Sequence, residues 1–155
     1  MYIEKASPKE HLVLTKITKK SKAYWGYSDE QIEIWTDALT VSENYIEVNS
    51  VYKLVFEDRI VGYYSFYFKD VKTVKLDNLF ISPEYIGKGF GRLAMNHFLM
   101  TVNLLGEINT ITLNADPNAE MFYTKFDFVK VGQIETKIKD RYLPVMELNL
   151  KLEEK

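Results

Sequence analysis

The sequence predicts a layered domain of the α+β or α/β class. Three observations carry that reading. Residues 44–71 alternate in aromatic and β-branched side chains, the pattern of paired strands. A segment from about Gly89 to Leu105 repeats its apolar residues at helical spacing. Beyond it, short apolar runs alternate with another helical stretch, so both element types continue to the end.

Ser7-Pro8 opens a helix over 8–22, with Leu12 and Ile17 among its apolar positions. Ser28 opens a second. It can cap the first turn, Gln31 stands three residues on, and Asp29 and Glu30 suit the positive end of the helix dipole. Ile32, Trp35 and Leu39 mark one face of that helix. Within 44–71, Val51 to Phe56 and Gly62 to Phe68 read as strands, and Glu57-Asp58-Arg59 as the hairpin turn between them. Val74 to Ile81 is a third strand, ended by Ser82-Pro83. The helix that follows puts Ala94, Phe98, Val102 and Leu105 on one stripe. Ile111 to Leu113 is a short strand, and Pro117 to Phe126 a short helix with proline in its first turn. Phe128 to Glu135 and Leu143 to Leu150 close the chain as strands.

Composition narrows the function. The 155 residues, 46% hydrophobic and 27% charged, suit one domain over 1–155 and argue against disorder. Without cysteine there is no disulfide framework, thiol nucleophile, Cys-based zinc site or iron–sulfur cluster. His11 and His97 are the only histidines, so no metal is expected. Neither has a carboxylate at motif spacing; His97 reads as structural and His11 as exposed. A net charge of -2 gives no general field for nucleic acid. The aromatic run at 63–68 lacks interleaved basic residues and reads as core. No run is long and apolar enough for a membrane span, and Met1-Tyr2-Ile3-Glu4-Lys5 lacks the apolar core of a signal peptide. These features predict a cytoplasmic protein that uses neither nucleic acid nor a membrane.

Charge is uneven at the N-terminal end. Residues 1–22 hold six lysines, whereas 23–52 hold six acids, no Lys or Arg, and the aromatics Trp25, Tyr27 and Trp35. Two readings stand for those acids: a field that draws a cationic ligand, or a solvated helix face.

Three of the seven glycines fall in Gly87-Lys88-Gly89-Phe90-Gly91, where a strand gives way to a helix. Glycine there permits positive φ and close approach to bare backbone, and a helix start offers unpaired N–H groups to an anion. A P-loop is excluded, because no Gly-Lys-Ser/Thr opens the helix. Gly89 to Ala94 satisfies the dinucleotide pattern G-x-G-x-x-A, and Asp116 lies roughly where a ribose-binding acid would stand. Against it, Ser82 to Ile86 separate the strand from the glycines, and the preceding chain is hairpin-like.

Leu76 to Gly91 resembles the acyl-CoA-binding motif of the GNAT superfamily of N-acetyltransferases, Gln/Arg-x-x-Gly-x-Gly/Ala after a strand ending in apolar-x-Pro. Ile86 stands where that motif has Gln or Arg. Asn118 to Phe128 is similar to the family's later motif, N-x-x-A-x-x-F-Y-x-K-x-G-F, with Asp127 in place of its glycine. Arg141-Tyr142-Leu143-Pro144 and Ser21 to Tyr27 are similar to segments of some bacterial members.

The resemblance implies a central, mostly antiparallel mixed sheet flanked by helices, with acetyl-CoA as co-substrate and no metal. It implies that Leu79, Phe80 and Ile81 line the pantetheine arm, with the Leu79 N–H on the thioester oxygen. It implies that Ile86, Gly87, Lys88, Gly89, Phe90, Gly91 and Arg92 receive the pyrophosphate. Tyr123 aligns with the family's general acid for the departing thiolate. Asn118 would cap its helix or bond the pantetheine, and Asp77 is the candidate base. Trp25 and Tyr27, with Asp77, would flank a small, cationic amine acceptor. The same resemblance admits a non-catalytic acyl-CoA sensor on this fold, and leaves room for a homodimer.

Overall fold

The computed structural model describes residues 1–136 and 141–150. Its strands are β1 (Tyr2–Lys5), β2 (Ser50–Phe56), β3 (Arg59–Asp70), β4 (Thr73–Ile81), β5 (Thr110–Asn114), β6 (Val129–Glu135) and β7 (Tyr142–Asn149). Its helices are α1 (His11–Tyr24), α2 (Asp29–Ile34), α3 (Thr36–Leu39), α4 (Glu43–Val48), α5 (Phe90–Leu104) and α6 (Glu120–Thr124). The strands make a seven-stranded sheet in the order β1-β2-β3-β4-β5-β7-β6. β4 and β5 pair in parallel; β1 with β2, β2 with β3, β5 with β7 and β6 with β7 are antiparallel. This is the mixed, mostly antiparallel sheet flanked by helices that the sequence predicts. The chain divides into two compact units, Met1–Phe66 with Asn78–Thr101, and Tyr67–Asp77 with the residues from Val102 onward.

In the first unit, α1 buries Leu14 and Ile17 against Val41, Ile46, Val51 and Tyr63. Each such large side chain contributes roughly 1.5–3 kcal/mol when fully removed from water. The start of α1 is anchored by a turn at Pro8–Glu10. Ser7 Oγ accepts from the Lys9 N–H, the Glu10 carboxylate accepts from the Ser7 N–H at 2.7 Å, and Glu10 also takes Lys53 Nζ at 2.7 Å. α5 buries Ala94, Met95 and Phe98, and the Phe98 ring lies 5.5 Å from Tyr64 and 5.4 Å from Phe66. His97 packs against Tyr52 and Tyr64, with its Nδ1 2.6 Å from the Tyr64 hydroxyl, a structural role as expected. β2 and β3 turn on Glu57 and Asp58, both at positive φ, which matches the twist of a two-residue hairpin. In the second unit, Val74, Leu76, Val102, Ile111, Leu113, Phe128 and Met146 are buried.

Five expectations are corrected. Tyr2–Lys5 is a strand, paired with β2, where no element was expected; four residues without a turn signal are too few to show a period. Residues 44–48 are helical, because Ser42 caps the turn by accepting from the Tyr45 N–H, overriding the strand-like Tyr-Ile-Glu-Val composition. The helix begun at Asp29 breaks at Trp35 into two short pieces. Leu105 lies past the end of α5 and is exposed, and His11 is half-buried, its Nε2 3.6 Å from Glu43 Oε1.

Candidate active site

The glycine segment of the first unit is held at both ends by aromatic rings. Tyr85, before it, and Phe90, after it, lie 5.8 Å apart, and Phe56 meets both at 6.0 and 5.2 Å. Phe90 is buried and anchors the first turn of α5, while Gly87, Lys88 and Gly89 are exposed. Gly87 and Gly89 have φ of +84° and +87°, and a Cβ at either would meet no atom within 4 Å. The glycines therefore serve backbone conformation and leave open space on their outer side. Gly91, by contrast, lies inside the first turn of α5 without a positive φ. A helix start leaves its first N–H groups without intrahelical partners, and α5 begins here. The segment thus offers backbone donors, the positive end of a helix dipole, Lys88 and the exposed Arg92 to a polyanion. Lys88 Nζ lies 5.6 Å over the Tyr85 ring, and Ile86, in the Gln/Arg position, is half-buried.

β4 leads into this segment. Its parallel ladder with β5 runs from Thr73–Thr110 to Leu76–Leu113, and the strand continues to Ile81. Leu79, Phe80 and Ile81 are half-buried there. Two contacts fix their backbone. Ser21 Oγ of α1 donates to the Ile81 carbonyl at 2.8 Å, and the Ser82 N–H donates to the Val61 carbonyl at 2.8 Å. Gly62 lets β3 and β4 approach, since a Cβ at 62 would stand 2.7 Å from both the Phe80 carbonyl oxygen and Ile81 Cδ1. Neither Ser21 nor Gly62 was singled out as a site residue. A glycine inside a strand pattern was the signal for close backbone approach.

Phe80 packs 6.0 Å from Tyr63, and Lys22 Nζ lies 5.7 Å over its ring and 5.8 Å over that of Tyr27. Tyr27 also meets Trp35 edge to face at 5.0 Å. Lys22 thus brings Tyr27 and Phe80 together. Trp25 is exposed and stacks edge-on with Tyr24 instead. Asp29, Glu30, Glu33, Asp37, Glu43 and Glu47 are all exposed. Asp77 is exposed on β4.

In the second unit, Tyr123 is buried on α6, and burial together with the nearby Asp116 charge pushes its hydroxyl above the ordinary tyrosine range. Asp116, not Asn118, is the cap. Its Oδ1 accepts from the Asn118 N–H and from Asn118 Nδ2, both at 2.9 Å, and Oδ2 lies 3.3 Å from Arg141 Nη2. Asp116 is committed to this turn and to Arg141, which leaves it ill suited to the ribose role that a dinucleotide site requires. The Arg141 carbonyl takes both the N–H and the hydroxyl of Thr136, at 3.2 and 2.8 Å.

Residues 25–149 match the acetyltransferase (GNAT) domain family. The chain belongs to the GNAT acetyltransferases. The fold is similar to that of an N-acetyltransferase of Rhodopseudomonas palustris, with a TM-score of 0.78 at 21% identity over 96% of this chain and 95% of that one. It is also similar to the PaiA N-acetyltransferase of Thermoplasma acidophilum in complex with coenzyme A, at TM-score 0.77 and 18% identity over 96% and 98%. An aminoglycoside 6′-N-acetyltransferase complexed with coenzyme A aligns at TM-score 0.68 and 15% identity over 96% and 97%. No curated protein matches the sequence with significance.

Proposed function

We propose that this protein transfers the acetyl group of acetyl-CoA to a primary amine of a small, cationic acceptor by direct attack in a ternary complex. The observation that carries the reading is the ring-anchored Gly87–Gly89 segment at the start of α5, whose geometry suits a pyrophosphate bound through main-chain N–H groups. In the reaction the amine nitrogen forms a bond to the thioester carbonyl carbon and the carbon–sulfur bond breaks. Two protons leave the acceptor nitrogen on the way from ammonium to amide, one before attack and one after it; one is passed to solvent and the other balances the proton that reaches the departing thiolate. The Leu79 N–H is assigned to the developing oxyanion, and Asp77 to the amine proton, directly or through water. Tyr123 is assigned to the thiolate; its raised pKa keeps the phenol protonated at neutral pH, so that the hydroxyl is present to donate to the sulfur as the carbon–sulfur bond breaks. Asn118 is assigned to the pantetheine.

The exposed acids of 29–47 support a cationic acceptor through their field. The rings add less than the sequence suggested, because Lys22 already places a cation over Tyr27 and Phe80. An acceptor panel of polyamines, aminosugars, amino acids and peptide N-termini, read by thiol release from acetyl-CoA, tests the reading. Turnover on a cationic amine supports it. Binding of acetyl-CoA without turnover on any amine would favour a non-catalytic acyl-CoA sensor.

A further inference from the structure

β6 stands at the end of the strand order, and all seven of its residues are exposed, including Val129, Val131 and Ile134. A terminal strand presents a row of backbone N–H and C=O groups that another strand can complete. Its side chains are arranged with opposite charges toward its two ends, Lys130 and Glu135, around Gly132-Gln133. We propose that β6 is the surface through which two copies of this chain pair, antiparallel, about a two-fold axis at Gln133.

The register follows from the bulge. Against β7, Lys130 pairs with Met146 and Gly132 with Val145, which leaves Val131 as the extra residue. Counted without Val131, a pairing centred on Gln133 sets Lys130 opposite Glu135 of the second copy, once on each side of the axis. It also sets Ile134 opposite Gly132, where no side chain obstructs it. Opposite charges facing each other across an antiparallel pair stabilise it, and like charges oppose it. The same strand meets itself, so the contact closes as a dimer.

Within one chain Lys130 and Glu135 lie about 13 Å apart along the strand, with side chains standing across it. Lys130 Nζ bonds Gln133 Oε1 at 3.3 Å instead. A lysine and a bulge at an edge discourage pairing with arbitrary strands. The self-pairing register answers that lysine with an acid.

Sedimentation equilibrium over a range of protein concentrations tests the proposal, with circular dichroism to confirm that each variant is folded. Wild type is expected to show a reversible monomer–dimer equilibrium. Lys130→Glu and Glu135→Lys, each placing like charges opposite one another twice, should weaken the dimer by about tenfold. The double variant Lys130→Glu/Glu135→Lys should restore it to near the wild-type constant. A wild type that stays monomeric throughout overturns the proposal. So does a dimer indifferent to either single reversal, or a double variant no better than the singles.

Discussion

The Phe128 N–H donates to the Tyr123 carbonyl at 3.3 Å, and the two rings meet edge to face at 6.0 Å. With the Asp127 N–H on the Thr124 carbonyl at 3.0 Å, this is the two-bond helix terminus that needs a left-handed residue just before Phe128. Asp127 occupies that position with φ +71°. The family's glycine is replaced, but the conformation that glycine serves is kept. Asp127→Gly should therefore stabilise the fold by up to about 1 kcal/mol, and Asp127→Val should destabilise it. Urea denaturation of both variants checks the sign.

Gly62 admits no side chain without moving β4. Gly62→Ala puts a methyl group 2.7 Å from the Phe80 carbonyl oxygen, so the strand must shift or the fold must loosen. The expected cost is about 1–3 kcal/mol of stability. If the variant stays folded, acetyl transfer should fall, because the displaced backbone is the one that carries the Leu79 N–H. Wild-type stability and turnover in Gly62→Ala would contradict this.

Tyr123→Phe removes a hydroxyl and keeps the ring that closes the helix terminus. Turnover should fall about 10²-fold with acetyl-CoA affinity nearly unchanged, the effect of a lost general acid. Because burial raises the phenol's pKa, wild-type activity should show no alkaline loss from this group across the ordinary tyrosine range. Equal losses of affinity and turnover would make Tyr123 a packing residue only.

Glu10 gives a pH dependence of known sign. Burial alone would raise its pKa, but hydrogen bonds from Lys53 and from the Ser7 N–H hold it below the ordinary glutamate range in the fold. A carboxylate lowered in the folded state stabilises fully above its unfolded pKa, and that stability is lost as pH falls through the folded value. Thermal melting from neutral to acid pH should show the loss below about 4.5 in wild type. Glu10→Gln should be less stable at neutral pH and should flatten the acid limb. Parallel curves for the two proteins would contradict the assignment.

Much of this was legible in the sequence where residue type and local geometry agree. Ser28, the Glu57-Asp58 turn and the α5 stripe as far as Val102 each have one dominant local cause, and each forms as read. The two glycines at 87 and 89 announced a conformation that other residues rarely adopt. What stayed hidden depends on tertiary placement. β1 exists because β2 offers it an edge, and α4 because Ser42 caps a strand-like run. The role of Lys22 came from distant contacts: its position over Tyr27 and Phe80 joins residues far apart in the chain. Asn118 suits a cap by its type and a pantetheine contact by the resemblance; of these, the capping position is held by Asp116, two residues earlier.

If acetyl-CoA binds as proposed, its pyrophosphate sits on the Gly87–Gly89 segment. Titration calorimetry of acetyl-CoA into wild type, Gly89→Val and Gly106→Val decides it. Gly106 shares the positive φ and the open surroundings of Gly89 but lies past the other end of α5, so it controls for backbone strain. Gly89→Val should lose at least about 2 kcal/mol of acetyl-CoA affinity, through the loss of two or more charge-assisted N–H bonds. Gly106→Val should bind as wild type does. Unchanged affinity in a folded Gly89→Val protein, or an equal loss in both variants, would contradict the assignment.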